Sequence, residues 1–494
     1  MNTLILSMPD FVPFFGRRIK IPNLGIASVA ANMSDGHNVY IGDLCTQRDS
    51  VSEAVRDAIE RYKPQLVGLS SMTFQYTTTR KVARLIKSID KDIKLALGGY
   101  HATLMSPEVR SADDSKLFDF AGEDGRLFDF LVRGEGETTF RELIDTLDGG
   151  GKDFDSILGL SYRTNGEWRH NDRRPLLDIK TLKLPDRSKR IWTNYSYMGY
   201  TSDVVESSRG CTFTCNFCSI NHMYGTSFRT YDISRIMEDI ENCKKLGRKM
   251  VIGFIDDNIT LNPRRFLEIC KTIIKEGHND MRYWAQLSCK GISSVPELPE
   301  AMKEAGFTII FLGIENVSKR NLEQLNKGDI MDYTLKAIKY LHDAKVLIVG
   351  GMILGNPDDS YEDIKENYDF FRDQKVDIYL DQILTPYPKT GIREGLQKAG
   401  LVTNPYDFTK YNGYWANVKT RHISQDELTF MRWKFNYDYA VAAEPTPLNR
   451  EMMGRAYYYW KYKILKKRLS VWWNTERKIF EQDMEKCRKA NDYL

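Results

Sequence analysis

Three cysteines at close spacing constrain this chain more than any other feature. Cys211, Cys215 and Cys218 follow the pattern Cys-x3-Cys-x2-Cys on one short segment. Iron–sulfur clusters are held by closely spaced cysteine thiolates, and a cubane cluster has four irons to ligate. Three thiolates therefore leave one iron without a protein ligand. That iron would be free to bind and activate a small molecule.

Two other interpretations of the three cysteines are weaker. A structural zinc site usually has four ligands, and His222, four residues past Cys218, could supply the fourth. A disulfide would be expected in a secreted chain, but the start of the sequence has no basic region of a signal peptide. The other five cysteines form no second close-spaced set, so we expect buried free thiols there: Cys45, Cys243, Cys270, Cys289 and Cys487.

Length, hydropathy and charge argue against a membrane-spanning protein and against a nucleic-acid-binding protein. The 494 residues suffice for two or three domains, and no apolar run is long enough to span a membrane. We therefore expect a cytoplasmic protein in a reducing compartment. The net charge is +4, and residues 450–468 alone carry seven basic residues and one acid, so the rest of the chain sums to −2. A nucleic-acid surface would be more broadly basic, so we expect no nucleic-acid partner.

The cysteine segment, with aromatic Phe213 and Phe217 between its thiols, resembles that of the radical S-adenosylmethionine (SAM) enzymes. The resemblance implies that the open iron chelates SAM. It also implies that an electron from the 4Fe-4S cluster cleaves SAM to a 5′-deoxyadenosyl radical. An anaerobic chemistry and an external electron donor of the flavodoxin or ferredoxin type follow from the same resemblance.

The N-terminal third alternates short apolar strands with helical patterns, which is typical of a doubly wound parallel sheet. The predicted strands are 4–6, 39–41, 66–70, 95–99 and 130–132, with helices at 25–33, 51–62 and 78–89. Ligands of such sheets bind outside the carboxyl ends of the strands. Small residues follow several of these ends, and glycine there allows close backbone approach. They are Ser70, Ser71, Gly98, Gly99, Gly134 and Gly136.

These strand ends resemble the cobalamin-binding domain that precedes the radical SAM domain in one large subfamily. The matching segments are Gly98-Gly99-Tyr100-His101, Pro107-Glu108 and Arg133–Glu137. The resemblance implies that the nucleotide tail of cobalamin is held by the small residues above and by Phe11, Tyr100, His101 and Glu135. The wider fold often carries Asp-x-His-x-x-Gly after the first strand, but here residues 9–16 contain no histidine. The implied cobalamin is therefore base-off, without a histidine ligand from that loop.

The central part of the chain alternates strands and helices again. The predicted strands are 204–206, 250–255, 284–287, 309–313, 347–354 and 378–384. The helices between them include 232–246, 264–276, 297–305, 319–326 and 332–344. Six such units resemble the partial (β/α)6 barrel of radical SAM enzymes, in which strand C-termini carry the active site. Between the two domains, the Asn165-Gly166 turn predicts a small hairpin.

The barrel resemblance implies SAM contacts at the strand ends. Asp256, Asp257 and Asn258 suit the α-amino group of SAM, although a helix cap explains them equally well. The segment from Gly351 to Asp358 resembles a Gly-x-Ile-x-Gly-x-x-Glu pattern that lies along the adenine, with Asp358 in place of the glutamate. The implied SAM contacts are Phe217, Asp256, Asp257, Asn258, Gln286, Glu315, Gly351, Ile353 and Gly355.

The C-terminal hundred residues are predicted to be mostly helical. Tyr387, Tyr414 and Trp415 are candidate substrate contacts, although aromatic residues in such a region are more often core. The apolar stripe Tyr458, Tyr462, Leu465, Leu469 and Trp472 lies beside several lysines on one helix. Such a helix could rest on a membrane surface, giving peripheral membrane association, or pack on the barrel. We expect packing.

The predicted fold is therefore α/β with four parts. They are an N-terminal doubly wound, Rossmann-like cobalamin-binding domain (1–140), a linker with a hairpin (141–190), a radical SAM core (191–395) and a helical C-terminal domain (396–494). The resemblance is to the group with C-methyltransferases, hopanoid methylase and anaerobic magnesium-protoporphyrin ester cyclase. It implies methylation of an unactivated carbon of a small-molecule, lipid or peptide substrate. Oxidative cyclisation, or a cobalamin and cluster sensor without catalysis, are the alternatives.

Overall fold

The N-terminal third forms a seven-stranded sheet with helices on both faces. In the computed structural model, the described residues are 1–10, 19–106, 126–247, 250–442 and 473–492. The strands of this part are β1 (Asn2–Ser7), β2 (Ile19–Lys20), β3 (Asn38–Asp43), β4 (Leu66–Ser70), β5 (Lys94–Gly98), β6 (Phe130–Val132), β7 (Leu160–Thr164) and β8 (Glu167–His170). The helices are α1 (Leu24–Ala31), α2 (Val51–Tyr62), α3 (Tyr76–Ile89), α4 (Tyr100–Leu104) and α5 (Gly136–Asp148).

The order of this sheet is β3-β1-β4-β5-β6-β7-β8, with the first five strands parallel. Helices α2 and α3 bury one apolar stripe each against one face, and α1 and α5 cover the other. The chain reverses its direction of winding between β1 and β4. In doubly wound sheets that switch point opens a crevice at the strand carboxyl ends, where ligands bind.

The predicted hairpin is present, but it does not belong to a linker. Strand β7 pairs antiparallel with β6 and β8 with β7, so the hairpin extends the first sheet at its edge. Asn165 and Gly166 both have positive φ, as a two-residue hairpin turn requires. The predicted boundary at residue 140 falls inside α5, whose apolar face packs in the core of this sheet. Those contacts are formed across the chain, so local composition could not reveal them.

The central part forms the predicted partial barrel. Its strands are β9 (Ser196–Tyr197), β10 (Tyr200–Val205), β11 (Ser208–Arg209), β12 (Arg229–Thr230), β13 (Met250–Phe254), β14 (Arg282–Ser288), β15 (Phe307–Glu315), β16 (Leu347–Leu354) and β17 (Ile378–Ile383). Its helices are α6 (Ile220–Tyr224), α7 (Ile233–Lys244), α8 (Pro263–Lys275), α9 (Cys289–Ser293), α10 (Leu298–Glu304), α11 (Lys319–Gln324), α12 (Met331–Asp343) and α13 (Tyr361–Asp373).

Six parallel strands form the wall of the barrel, in the order β17-β16-β15-β14-β13-β10. Strand β9 continues the sheet antiparallel to β10, and β2 from the N-terminal part pairs with β9 at the outer edge. Strand β2 thus connects the two parts, because it belongs to the N-terminal part of the chain but forms the outermost strand of the barrel sheet.

The C-terminal part contains α14 (Gly391–Lys398), α15 (Gln425–Ala442) and α16 (Trp473–Ala490). It is not a separate domain, because Leu401, Val418, Leu428 and Phe435 are buried in the same apolar core as the barrel helices. The predicted stripe at 458–472 lies outside the described residues. Among the described residues, no helix combines the length and apolarity needed to cross a membrane.

Candidate functional site

The cysteine loop leaves the barrel at the end of β10 and is closed by a short clip. Strands β11 and β12 pair antiparallel, Ser208 with Thr230 and Arg209 with Arg229, so the two ends of the segment meet. Gly210 has φ of +90°, and a Cβ there would come within 2.4 Å of the Ser227 carbonyl oxygen. Glycine is therefore required directly before Cys211.

The loop is also fixed against one helix of the barrel, α11, and one helix of the C-terminal part, α14. The backbone N–H of Asn216 donates to the Leu325 carbonyl at 3.2 Å, and Asn326 Nδ2 donates to the Thr214 carbonyl at 2.7 Å. The Ile392 N–H donates to the Asn216 carbonyl at 3.0 Å. These bonds hold the cysteine loop over the mouth of the barrel, because their partners lie at the end of α11 and the start of α14.

The positions of the thiols test the disulfide and zinc interpretations of the three cysteines. None of the eight cysteines is in a disulfide. Among the described side chains, no three of His, Cys, Asp or Glu converge on one point as ligands of a single metal ion would. The zinc site with His222 is therefore not supported. A cubane binds each thiolate to a different iron, so it needs no such convergence.

A cavity of about 260 Å³, here called the cluster cavity, lies between the cysteine loop and the strand ends of the barrel. All three cysteines line it, together with Phe213 and Phe217 from the same loop. Burial raises the pKa of each thiol, and that of Cys218 to about 12. Iron coordination would hold these groups as thiolates, since a metal favours the deprotonated ligand.

Seven of the nine residues expected to contact SAM line the cluster cavity. They are Phe217, Asp257, Asn258, Gln286, Glu315, Gly351 and Ile353. Asn258 is also the predicted helix cap, because its Oδ1 accepts from the Thr260 N–H and hydroxyl. The strand ends of β13 to β16 therefore meet in front of the cysteines.

Asp256 and Gly355 do not line the cavity, and each has a structural role in the described residues. The buried Asp256 carboxylate accepts from the Ser207 N–H at 3.0 Å and from the hydroxyls of Ser207 and Ser208. It thus holds the segment that leads into the cysteine loop. Gly355, with φ of +82°, allows close approach of Leu428, whose side chain would be 2.7 Å from a Cβ there.

The carboxylate in the Gly351 segment also has a structural role. Asp358, at the position of the expected glutamate, is paired with Arg421 at the surface. The next residue, Asp359, is fully buried and accepts from the N–H groups of Gly355 and Asn356 at 2.9 Å each. Asp359 therefore fixes the backbone of this turn. The sequence pattern ends at position 358 and does not include Asp359.

A second cavity, of about 370 Å³, lies at the strand carboxyl ends of the first sheet. We call it the glycine-lined cavity. Seven of the ten expected cobalamin contacts line it: Ser70, Gly98, Gly99, Tyr100, Gly134, Glu135 and Gly136. A Cβ at Gly134 would have no neighbour within 4 Å, and one at Gly98 only Val132 at 3.8 Å. The missing side chains therefore leave room for a ligand.

The remaining three expected contacts are elsewhere. Phe11 lies outside the described residues. Ser71 is buried and its hydroxyl accepts from Thr79 Oγ1 at 2.8 Å. His101 is also buried, with its ring stacked on Tyr76 at 4.1 Å, and burial lowers its pKa to about 3. Both residues are buried and do not line the cavity, so their contact with the ligand stays a prediction.

Of the candidate substrate contacts, Tyr387 alone lines the cluster cavity. Its hydroxyl donates to the Tyr411 carbonyl at 3.0 Å. Tyr414 is buried beneath the guanidinium of Arg432, 3.9 Å from the ring centre. Trp415 is half-buried and, like Tyr414, is not among the residues that line either cavity in the described structure. These two aromatics therefore belong to the packing of the C-terminal part.

The two cavities adjoin. Asp257, at the end of β13, lines both of them, and its carboxylate accepts from the Gly210 N–H at 2.8 Å. Burial raises the pKa of Asp257 to about 6. A ligand in one cavity would therefore approach a ligand in the other near the first cysteine.

Family models match both parts of the chain. The radical SAM superfamily matches residues 205–371, which include the cysteine loop, and the B12 binding domain matches residues 17–144. The chain carries a radical SAM domain and a B12 binding domain.

Similar proteins match most of the length of the chain. An uncharacterized methyltransferase of Pyrococcus horikoshii is 29% identical over 83% of this chain and 85% of its own length. The anaerobic magnesium-protoporphyrin IX monomethyl ester cyclase of Rubrivivax gelatinosus is 26% identical over 77% of this chain and 66% of its own length. The solved radical SAM methyltransferase TsrM of Kitasatospora setae, with cobalamin and a [4Fe-4S] cluster bound, has a TM-score of 0.64 and 17% identity over 82% of this chain and 76% of that chain.

The residues present fit the cofactors of this B12-binding radical SAM protein. The three cysteines would hold three irons of a cubane and leave the fourth without a protein ligand, and the polar strand ends in the same cavity would hold SAM. The glycine-lined cavity has the size of a pocket for a drug-sized group, which suits the nucleotide tail of cobalamin better than the whole corrinoid. The two domains and the residues that line the two cavities thus support a 4Fe-4S cluster, SAM and cobalamin as cofactors.

Lys327 is the main site residue that the sequence does not reveal. It follows α11, and its ammonium lies in the cluster cavity, 2.8 Å from Glu315 Oε1. A lone lysine after a short helix carries no pattern, and only the folding of the loop against the barrel brings it to the cysteines. Tyr224 and Arg209, which line the glycine-lined cavity from the barrel side, escape prediction for the same reason.

Proposed function

We propose that this protein transfers a methyl group to an unactivated carbon of a small-molecule, lipid or peptide substrate. The observation that carries the proposal is the junction of the two cavities at Asp257. When bound, the cluster would cleave SAM reductively and the cobalamin would carry the methyl group. Both reactions need their centres close together, and positioned reactants gain several kcal/mol in effective concentration.

The chain's own residues would bind and orient SAM at the cluster. Phe217 and Ile353 offer apolar surfaces for the adenine, and Glu315 offers a carboxylate to ribose hydroxyls. Asp257 and Asn258 offer oxygens to the α-amino group. Because these groups lie on strand ends of a rigid sheet, they would hold the SAM sulfur in one position relative to the cysteines.

We further propose that cobalamin binds base-off and without a histidine below the cobalt. In support, no residue that lines the glycine-lined cavity in the described structure is a histidine. His37 lies 2.8 Å from Asp145 of α5, and His101 is enclosed in the core. The cob(II)alamin EPR spectrum of the protein should show no nitrogen splitting from a lower ligand. A clear splitting would contradict the proposal.

Reconstitution under anaerobic conditions tests the function. The protein should hold about four irons, as the three-thiolate site requires, and roughly one hydroxocobalamin. Supplied with SAM and a strong one-electron reductant, it should form 5′-deoxyadenosine and S-adenosylhomocysteine. A sensor without catalysis would form neither product. An enzyme of oxidative cyclisation would form 5′-deoxyadenosine without S-adenosylhomocysteine, so the second product decides between them.

A comparison of cell extracts can identify the substrate, whatever its chemical class. Extracts of cells with and without the gene should differ by a compound heavier by one methylene unit when the protein is present. Proteins of the flavodoxin or ferredoxin type are the proposed electron donors. Replacing the chemical reductant with either should support formation of 5′-deoxyadenosine.

A further inference from the structure

Arg209 connects the cysteine loop to the cobalamin-binding domain. It precedes Cys211 by two residues, and its side chain is only 7% exposed. Its Nη1 lies 3.0 Å from Glu135 Oε1, and its Nη2 lies 2.8 Å from Glu137 Oε1. Both glutamates belong to the segment 134–137, which lines the glycine-lined cavity. The third guanidinium nitrogen, Nε, lies 3.0 Å from Glu206 Oε2 on the barrel.

A second arginine reinforces the same contact. Arg229, which pairs with Arg209 across β11 and β12, places its Nη1 2.9 Å from Glu135 Oε2. The Leu177 N–H donates to the same oxygen at 2.9 Å. Both oxygens of Glu135 are thus occupied by protein donors. Glu135 lines the glycine-lined cavity, but its carboxylate is committed to the barrel and not to a ligand.

The network also reaches α1, which packs against the helix that carries Glu137. The Ser28 hydroxyl on α1 donates to Glu137 Oε1 at 2.7 Å, and Arg209 Nη2 lies 3.3 Å from the same hydroxyl. Ile26 and Val29, which flank Ser28, line the glycine-lined cavity. Arg209 therefore touches two walls of the cobalamin site and the base of the cysteine loop at once.

We propose that Arg209, with Glu135 and Glu137, is a positioning element that sets the distance between the cobalt and the cluster. This inference rests on the proposed function. These residues act on the cofactors through the backbone, since Arg209 is joined to Cys211 by Gly210, whose N–H is held by Asp257. Glu135 is expected from the sequence to contact cobalamin, but in this proposal both glutamates act through Arg209.

The chemistry of the side chains fits such a task. A guanidinium presents several donors in a rigid plane, so it fixes three carboxylates in direction as well as distance. A buried ion pair contributes little net stability, because desolvation offsets most of the attraction. Its best-attested use is to specify one arrangement over others. A lysine would keep the charge but could not hold the three acceptors in one plane.

Two reactions of SAM report the arrangement without a substrate. Reductive cleavage to methionine and 5′-deoxyadenosine takes one electron and a hydrogen atom, and it depends on the cluster and SAM alone. Transfer of the sulfonium methyl to cob(I)alamin breaks the S–C bond, forms the Co–C bond and releases S-adenosylhomocysteine. Only the second reaction depends on the position of the cobalt, so the ratio of the two products measures the alignment.

The test uses the full chain loaded with cluster, hydroxocobalamin and SAM and supplied with a strong one-electron reductant, in the variants Arg209→Lys and Glu137→Gln. We expect the ratio of S-adenosylhomocysteine to 5′-deoxyadenosine to fall by about tenfold or more, as misalignment by an ångström can cost that much. Pulsed EPR on cob(II)alamin and the reduced cluster should show a shifted or broadened distance. If Arg209→Lys does not fold, the nearly isosteric Glu137→Gln decides.

Arg187→Lys is the matched control. Arg187 is equally buried and also contacts two carboxylates, with Nε 3.1 Å from Asp203 and Nη1 2.5 Å from Asp239, but it lines neither cavity. It should leave the ratio and the distance as in the wild type. Unchanged ratio and distance in both test variants, with both cofactors bound, would overturn the inference alone. A wild type that takes up no cobalamin would instead overturn the proposed function and the inference with it.

Discussion

The ammonium of Lys327 lies 2.8 Å from a carboxylate oxygen of Glu315, inside the cavity that the three cysteines face. Both side chains are about nine-tenths buried, at 11% and 12% exposure. Glu315 has φ of +67° at an irregularity in the pairing of β15 with β16. Such a backbone is uncommon for a residue with a side chain, and it clusters at functional sites.

Lys327→Met should weaken SAM binding. Without the ammonium, the buried Glu315 carboxylate has no compensating charge, which is strongly unfavourable. The carboxylate would then turn away from its buried position, and it could no longer accept from two ribose hydroxyls. We expect the dissociation constant for SAM to rise by about tenfold, or about 1.4 kcal/mol, in equilibrium dialysis of the reconstituted protein. Lys319→Met, at an exposed lysine 3.7 Å from Asp329, should leave the constant unchanged.

Cys218→Ala should abolish both the cluster and the formation of 5′-deoxyadenosine. Two thiolates cannot hold a cubane whose third and fourth irons then lack protein ligands. Iron and sulfide analysis after anaerobic reconstitution gives the measurement. Cys270→Ala is the control, since that thiol is fully buried between α8 and the barrel and lines neither cavity. Four irons retained by a triple alanine variant of the loop would show that the ligands lie elsewhere.

Two adjacent glycines should respond differently to substitution. Gly98→Val should lower the affinity for hydroxocobalamin without lowering the melting temperature, because its Cβ meets only Val132 at ordinary contact distance beside the cavity. Gly99→Ala should lower the melting temperature. Its φ is +87°, and a Cβ would lie 2.8 Å from the Ser71 carbonyl oxygen. Spectroscopic titration and thermal unfolding of each variant distinguish a ligand contact from a backbone requirement. Equal cobalamin affinity in Gly98→Val and the wild type would exclude the cavity as its site.

Asp10 should make the apoprotein less stable as the pH rises. Burial raises the pKa of this carboxyl from 3.8 to about 7, although the Thr78 hydroxyl donates to it at 2.8 Å. Between these two values the folded state keeps a proton that the unfolded state has lost. The free energy of unfolding should therefore fall as the pH rises through this window, and stay level above it. The total loss is at most about 4 kcal/mol, at 1.36 kcal/mol per pH unit.

Asp10→Asn keeps an oxygen that can accept from Thr78 and removes the titration. Its melting temperature should exceed that of the wild type at pH 8, with the difference vanishing toward pH 4. Asp35→Asn, at an exposed position, provides the control. A constant difference between Asp10→Asn and the wild type across this range would show that Asp10 does not titrate in it.

The sequence predicts those features that are local in the chain. The cysteine spacing and the glycines after β5 and β6 are contiguous patterns, and each lies where a strand or loop ends. The apolar periodicity locates α2 (Val51–Tyr62) at its observed bounds, because one face of that helix is buried. Helix α13 (Tyr361–Asp373) is absent from the predicted helices, although Ser360 and Asp363 form a capping box at its start. That signal is present in the sequence and could have identified it.

The features that escape prediction arise from contacts between distant parts of the chain. Lys327 reaches the cysteines only because the loop docks on α11. Glu135 is predicted to touch cobalamin, but its partners Arg209 and Arg229 lie more than seventy residues away. Leu428 and Phe435 are predicted to belong to a separate domain, because their sequence gives no sign of which core they enter. Such pairings depend on the tertiary fold and have no counterpart in local spacing.

The pairing of β2 with β9 has a consequence for how the chain can be made and divided. Ile19 and Lys20 find their partners, Tyr197 and Ser196, only after some 180 further residues have been synthesised. The amino-terminal part therefore cannot complete its outer contacts while it alone has left the ribosome. A fragment that begins after the first sheet would expose the backbone donors and acceptors of β9 along an unprotected edge, which favours association with other chains. The two halves of this protein should accordingly be expressed, purified and evolved as one piece.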